Sequence, residues 1–138
     1  MSYRAGLLYL FDNGVAPYVS YFTSFEPSTS VGANGNPLQP TEAQQYEVGI
    51  KYQPTGLDTV FTLSAFDIRQ QNVVYFNAAT GFNEQQGEIH SRGVEFEARG
   101  NLTGNLELIA KLSLLDTEIF ESSIVSIIGN RPQAVPRY

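Results

Sequence analysis

Apolar and polar residues alternate with a period of two along most of this chain. In Gln44 to Gln53, one face holds Gln44, Tyr46, Val48, Ile50 and Tyr52. The other holds Gln45, Glu47, Gly49, Lys51 and Gln53. Successive side chains of a strand point to opposite faces, so this pattern marks an antiparallel strand with one apolar face. In Pro17 to Glu26, Val19, Tyr21, Thr23 and Phe25 oppose Tyr18, Ser20, Phe22, Ser24 and Glu26. In Ile89 to Arg99, Val94, Phe96 and Ala98 oppose Gly93, Glu95, Glu97 and Arg99. The pattern predicts six strands: Tyr3 to Phe11, Pro17 to Glu26, Glu42 or Ala43 to Gln53, Thr59 to about Phe76, Gln85 to Arg99, and Leu106 to about Ile119. The fourth is interrupted by the polar Gln70-Gln71-Asn72. Leu106 to Leu115 also suits a helix capped by Asn105, but its alternation favours a strand.

Turn residues separate the runs in a regular order. Asp12-Asn13-Gly14 tolerates positive φ and is a hairpin signal. Pro54-Thr55-Gly56-Leu57-Asp58 and Gly100-Asn101-Leu102-Thr103-Gly104-Asn105 are further tight turns. Their centres, near Asn13, Gly56 and Leu102, recur at a near-constant interval. Longer connections lie between them, at 27–41, 77–84 and 120–134, where Ile124 to Ile128 can pair locally. Short and long connections therefore alternate, as in an up-and-down meander with tight turns at one end. Outer-membrane barrels sort their connections in this way.

Composition narrows the field. The 138 residues hold no Cys and no Trp. That excludes a disulfide scaffold and Cys-ligated metal sites. Lys plus Arg total 8 against 14 for Asp plus Glu, a net charge of −6. The acidic balance argues against nucleic-acid binding. Charged residues are only 16%, and 42% of the chain is hydrophobic, which argues against disorder. No apolar run reaches the length of about 18 residues that a spanning helix needs. The start, Met1-Ser2-Tyr3-Arg4-Ala5-Gly6, has no basic and apolar leader pattern, so no secretory signal is expected there. The end, Arg131 to Tyr138, reads as a loop entering something further.

Strand length and aromatic placement separate two architectures. A soluble secreted β-sandwich or adhesin-like binding module would use alternating strands with tyrosines over its core. A membrane barrel uses tilted strands of about 9–11 residues, longer than the average of about 5–6. It also places tyrosines at the strand ends as an interfacial girdle. The long runs here favour the barrel. The smallest bacterial barrels have about 8 strands, so six would be a segment of a larger one.

Several motifs resemble one family. Tyr46-Glu47-Val48-Gly49-Ile50-Lys51-Tyr52, approached by Thr41-Glu42, resembles the E-x-G-x-K strand of TonB-dependent outer-membrane receptors. Tyr18 to Pro27 resembles the preceding strand and its loop entry. Ser91-Arg92-Gly93-Val94-Glu95-Phe96-Glu97 is similar to the family's S-R-G-V-E-x-E strand. Gly129-Asn130-Arg131-Pro132 with Val135-Pro136 resembles the loop entering the next strand, and Phe66-Asp67-Ile68 and Asn72-Val73 also fit. These motifs keep the family's order along nearly the whole chain, and the subgroup resembles ferric-siderophore receptors of the ferrichrome type. The resemblance implies an all-β fold: an antiparallel up-and-down meander of about six long strands within a roughly 22-stranded transmembrane β-barrel. It implies that residues 1–138 are a partial barrel domain, with plug, earlier strands and C-terminal strands absent. It further implies bacterial outer-membrane localisation, a ferric siderophore as substrate and outer-membrane lipid around the wall. The TonB complex would act through the absent plug and N-terminal box, and no nucleic acid is involved.

Individual residues carry further expectations. Glu47, Lys51, Arg92, Glu95, Glu97 and Arg99 alternate with apolar neighbours and suit a polar lumen or rim. Arg92 shares its face with Val94 and Phe96, so it lies above the apolar band or a bulge changes the register. Gly93 marks a bulge or a close backbone approach. His90, the only His, has no ligand cluster around it, and no cofactor is expected. A siderophore already wraps its iron, so aromatic and polar contacts would serve it; Tyr75, Phe76 and Phe82, beside a long loop, are the candidates. Asp12, Asp58, Asp67 and Asp116 form no catalytic set. No Ser–His–Asp spacing, phosphate loop or G-x-S-x-G is present, so no enzymatic activity is expected.

Overall fold

The computed structural model describes residues 2–103, 106–121 and 128–131. Among the described residues, six strands form one sheet: β1 (Arg4–Leu8), β2 (Val15–Glu26), β3 (Thr41–Tyr52), β4 (Thr59–Asn77), β5 (Phe82–Thr103) and β6 (Leu106–Glu121). Their spatial order is their sequence order, and each pairs antiparallel with the next. The meander read from the alternation is therefore the fold, and Leu106 to Leu115 is strand. Pairing continues beyond β1, where the Tyr9 and Phe11 amides donate to the Pro17 and Val15 carbonyls at 3.1 and 2.9 Å. Gly14 and Gly56 take the positive φ that the two tight turns require, 82° and 84°.

Two expected connections are corrected: the turn read at 100–105 is strand as far as Thr103, because Gly100, Asn101 and Thr103 pair with β6, and a longer loop is also shortened. Residues 77–84 read as a long connection, but β4 and β5 run on to a short turn between Asn77 and Phe82. The polar stretch Asn83-Glu84-Gln85 suits a loop by composition. Cross-strand partners in β4 satisfy it instead, with Tyr75 opposite Glu84 and Val74 opposite Gln85. The two strands thus reach 19 and 22 residues. The local pairing expected at Ile124 to Ile128, and the Pro132 to Pro136 motif, fall largely or wholly outside the described residues. Gly129 and Asn130 fold back on β6 through two 2.8 Å backbone hydrogen bonds to Ile119.

The described residues form a single layer. Among the described residues only Ala16, Ile89 and Ile119 are buried apolar side chains. A sandwich must bury one face of each sheet against the other, and no second sheet covers this one among the described residues.

Register assigns the two faces. One carries consecutive cross-strand rows: Leu7, Val19, Val48, Ala65, Val94 and Leu114, then Pro17, Ile50, Leu63, Phe96 and Leu112. These side chains stand open, with Val48 56% and Leu112 62% exposed. Tyr52 and Phe61 border this band on one side. On the other, the row changes character within one step to Tyr21, Tyr46, Asp67, Arg92 and Asp116. Tyr21 and Tyr46 pack with centroids 4.7 Å apart. Arg92 thus lies just above the apolar band in unbroken register, and its guanidinium meets Glu118 at 3.3 Å. Of the two placements open for Arg92, the structure selects the border row; the register shifts in β5 lie elsewhere, between Glu88 and Ile89 and between Asn101 and Thr103. Gly93 is a close approach. A Cβ there would sit 2.4 Å from the Leu114 carbonyl oxygen and 2.8 Å from Phe66 Cζ.

Candidate functional site

The chemistry of this sheet gathers where β4 and β5 outrun their neighbours. Beyond Gln71, the last β4 residue paired with β3, the hairpin runs on to Asn77, about 20 Å at roughly 3.3 Å per residue. Its tip carries a carboxylate held by three neutral donors. Tyr75 Oη donates to Glu84 Oε2 at 2.9 Å, while Asn77 Nδ2 and Thr80 Oγ1 donate to Glu84 Oε1 at 2.9 and 2.8 Å. These bonds favour the ionised form. They hold the Glu84 carboxyl below the usual carboxylate range, with Asn77 the largest contributor, then Thr80 and Tyr75. Asn77 also turns the chain, its side-chain oxygen accepting from the Ala79 amide at 3.0 Å.

The β2–β3 connection lies against the same hairpin. It has its own small bridge, Val31 to Pro37, and Gly35 takes φ 74° at its turn. Gln85 Oε1 accepts from the Gln39 amide at 3.0 Å, and Gln85 Nε2 donates to the Gln39 carbonyl at 2.7 Å. The same nitrogen donates to the Asn72 carbonyl at 2.9 Å. Asn72 Nδ2 donates to the Pro40 carbonyl at 3.2 Å, and Thr41 Oγ1 donates to the Asn72 carbonyl at 3.1 Å. Asn72 sits at φ 58°, the one non-glycine residue described with positive φ, a conformation that Asn tolerates better than most.

Below the hairpin, Glu88 accepts from His90 and from Gln71, and these contacts lower its pKa, His90 being the main cause. The His90 ring stacks on Phe120, centroids 4.5 Å apart and nearly parallel. His90 is thereby engaged as a packing and hydrogen-bonding group. Among the described residues, no cluster of three or more His, Cys, Asp or Glu is placed to hold a metal ion.

Comparison with known proteins gives this geometry its family. The TonB-dependent receptor-like β-barrel model matches residues 1–138. The chain belongs to the TonB-dependent receptor β-barrel family. It is 42% identical over 123 residues to the ferrioxamine B receptor of Salmonella typhimurium, covering 89% of this chain and 18% of that protein. It is 38% identical over 138 residues to the ferrichrome outer membrane transporter/phage receptor of Escherichia coli K12, covering 99% of this chain and 18% of that protein. The chain thus spans under a fifth of the length of these relatives. The ferric preacinetobactin receptor of Acinetobacter baumannii shares the fold with a TM-score of 0.71 at 23% identity, over 96% of this chain and 21% of that one. As a member of this family the chain is an outer-membrane β-barrel protein. The soluble sandwich weighed from the alternation is not favoured.

In a receptor barrel the open apolar face is the outer wall and the polar face lines the lumen. On that inner face, Tyr18 lies across Gly49, where a Cβ would meet the ring at 2.6 Å. Its hydroxyl donates to Glu47 Oε1 at 2.7 Å, and Lys51 Nζ sits 5.5 Å from its ring centroid. Lys111 pairs with Glu95 at 3.0 Å, and Arg99 with Glu107 at 2.8 Å. The charges expected in the lumen are largely on this face, Arg92 excepted.

The three aromatic candidates are near one another but divided. Tyr75 and Phe82 share a face of the hairpin through the Tyr75–Glu84 and Asn77–Phe82 pairs, and Phe76 occupies the opposite one. Phe76 is 64% exposed and Phe82 46%, whereas Tyr75 is tied to Glu84. Sequence reasoning missed Gln39, Asn72 and Gln85 as a contact set. The available signal was the polar break Gln70-Gln71-Asn72 inside a long strand, with an Asn suited to positive φ.

Proposed function

We propose that this chain is a wall-and-mouth segment of a longer receptor that imports ferric siderophores across the outer membrane by TonB-dependent transport. The observation that carries the reading is the family match over the whole chain, joined to 42% and 38% identity with receptors named for ferrioxamine B and ferrichrome. The sheet supports it: an open apolar band bordered by tyrosines, a polar inner face, and a protruding hairpin with a folded loop at one end. Residues 1–138 supply part of the barrel domain. The plug, the TonB-contacting box and the remaining strands belong to other parts of the longer polypeptide. Outer-membrane lipid covers the apolar band, and the segment catalyses no reaction of its own.

The ligand class follows the relatives: a ferric chelate whose iron is already enclosed. Phe76 on one face of the hairpin, and Phe82 with the ring of Tyr75 on the other, offer it aromatic surface at the mouth. The full-length gene, expressed in a strain lacking its own ferrioxamine and ferrichrome receptors, is expected to restore uptake of radiolabelled iron from one of these chelates. Uptake should vanish when TonB is deleted. Failure with both chelates, for receptor shown to be in the outer membrane, would refute the reading.

A further inference from the structure

We infer that Gln85 and Asn72 are positioning residues that clasp the β2–β3 loop onto the β4–β5 hairpin as a closed strap, and that ligand affinity depends on this closure. The inference rests on the uptake reading above, because it assigns the strap to the mouth of that receptor.

The Gln85 carboxamide imitates a strand partner. It accepts from the N–H and donates to the C=O of one residue, Gln39. Its second N–H is spent on the Asn72 carbonyl, so both donors of the amide are used. That network also settles the orientation of the amide: the Gln39 N–H needs an acceptor and the two carbonyls need donors. Asn72 completes the clasp by accepting from Thr41 and donating to Pro40. The strap also carries backbone bonds of its own, the Gly32 amide donating to the Asn36 carbonyl at 3.0 Å. Gly32 is buried between Leu38 and the Asn83 backbone, and the Leu38 amide donates to the Ser30 carbonyl at 3.0 Å. All five clasp bonds are neutral. The clasp therefore holds irrespective of carboxylate ionisation, in contrast with the Glu84 cluster, which Tyr75 and Asn77 build one residue away. A ligand that needs the strap closed binds in proportion to the closed fraction.

The test uses full-length receptor in lipid vesicles, with spin labels at Asn34→Cys and Ala79→Cys reporting strap-to-tip distance without ligand. The unmodified clasp should give one short distance at pH 7 and at about pH 4. Gln85→Ala should give a long, broad distribution at both. Gln85→Glu should be open at pH 7, where a carboxylate faces two carbonyls. It should reclose toward pH 4, where the neutral acid regains one donor, near the ordinary Glu pKa of about 4.3. Unlabelled Gln85→Ala should bind radiolabelled ferrioxamine B or ferrichrome about tenfold more weakly, as a fall in closed fraction to about one tenth requires. Its barrel melting should not change. Unaltered distances in Gln85→Ala, or no reclosure of Gln85→Glu, would overturn the clasp. An open strap with unchanged affinity would overturn its role in binding and leave the uptake reading standing. Absence of chelate binding by the wild type would count against the uptake reading, while the distances would still judge the clasp.

Discussion

The wall and the rim of this sheet are built from the same two strands, β4 and β5, yet they are held by different interactions. In the wall, every residue is constrained by rows of partners on both sides. Side chains of the outer face stand free, and backbones approach closely at glycines such as Gly93. At the rim, the hairpin has lost its strand neighbours. Side-chain hydrogen bonds replace the missing ladder, reaching backbone from Gln85 and Asn72 on one side and joining side chains in the Glu84 cluster at the tip. The lesson is that a barrel strand leaving the bilayer keeps its pairing but changes what specifies its shape. Solvent and apolar burial decide the wall, and polar satisfaction decides the rim.

The sharpest way to break this comparison is a charge on the outer face. Val48→Arg sits inside the apolar band and should destabilise the full-length receptor by about 2–4 kcal/mol, whereas Gln44→Arg, beyond the tyrosine row, should cost about 0–1 kcal/mol. Reversible unfolding of the full-length receptor from lipid vesicles measures both. Equal effects would mean that the band does not meet lipid.

Glycines give a smaller contrast. Gly93→Ala forces a Cβ against the Leu114 carbonyl and should cost about 1–3 kcal/mol through overpacking. At Gly35 nothing lies within 4 Å of an added Cβ, but φ is 74°. Gly35→Ala should therefore cost only about 1 kcal/mol, from backbone strain at the strap's turn. Melting of the two full-length variants ranks them, and the reverse order would refute the division between wall and rim.

Next comes Tyr18→Phe, which removes one hydrogen bond to Glu47 from the inner face and should cost about 0.5–1.5 kcal/mol. The same unfolding experiment reads it.

Acid provides the smallest and most local effect. The Glu84 pKa is lowered in the folded state by its three donors. Its contribution is thus complete above the unfolded carboxylate value of about 4.3 and is lost as pH falls through the lower folded value. Glu88 follows the same sign, with His90 as the main cause. Amide protection at Ala79 and Gly81 should fall in that acid range while amides of the wall keep theirs. Protection at the tip that is unaffected by acid, or already lost near neutral pH, would contradict this assignment.

Much of the architecture was legible because strand alternation is local. Six strands, two tight turns with glycines at positive φ and the border tyrosines Tyr46 and Tyr52 all follow from neighbours within a few residues. The E-x-G-x-K and S-R-G-V-E-x-E resemblances pointed to the family that the whole-chain match established. The stretch 77–84 was misread because polarity signals a loop only when no partner strand satisfies it. Arg92 had two placements because a period of two says which face a residue takes, not at which height. Tyr75, Phe76 and Phe82 looked like one patch in sequence, although strand geometry puts neighbours on opposite faces.

By itself, then, the sequence determined the strands, their apolar face and their order, since these depend on side-chain periodicity and turn chemistry. Only the tertiary structure decided how far the β4–β5 hairpin protrudes, which row Arg92 joins, and that Gln39 meets Gln85. Those outcomes depend on cross-strand register and on loop docking between residues 46 positions apart. No local pattern encodes a contact whose energy exists only once both partners have been brought together.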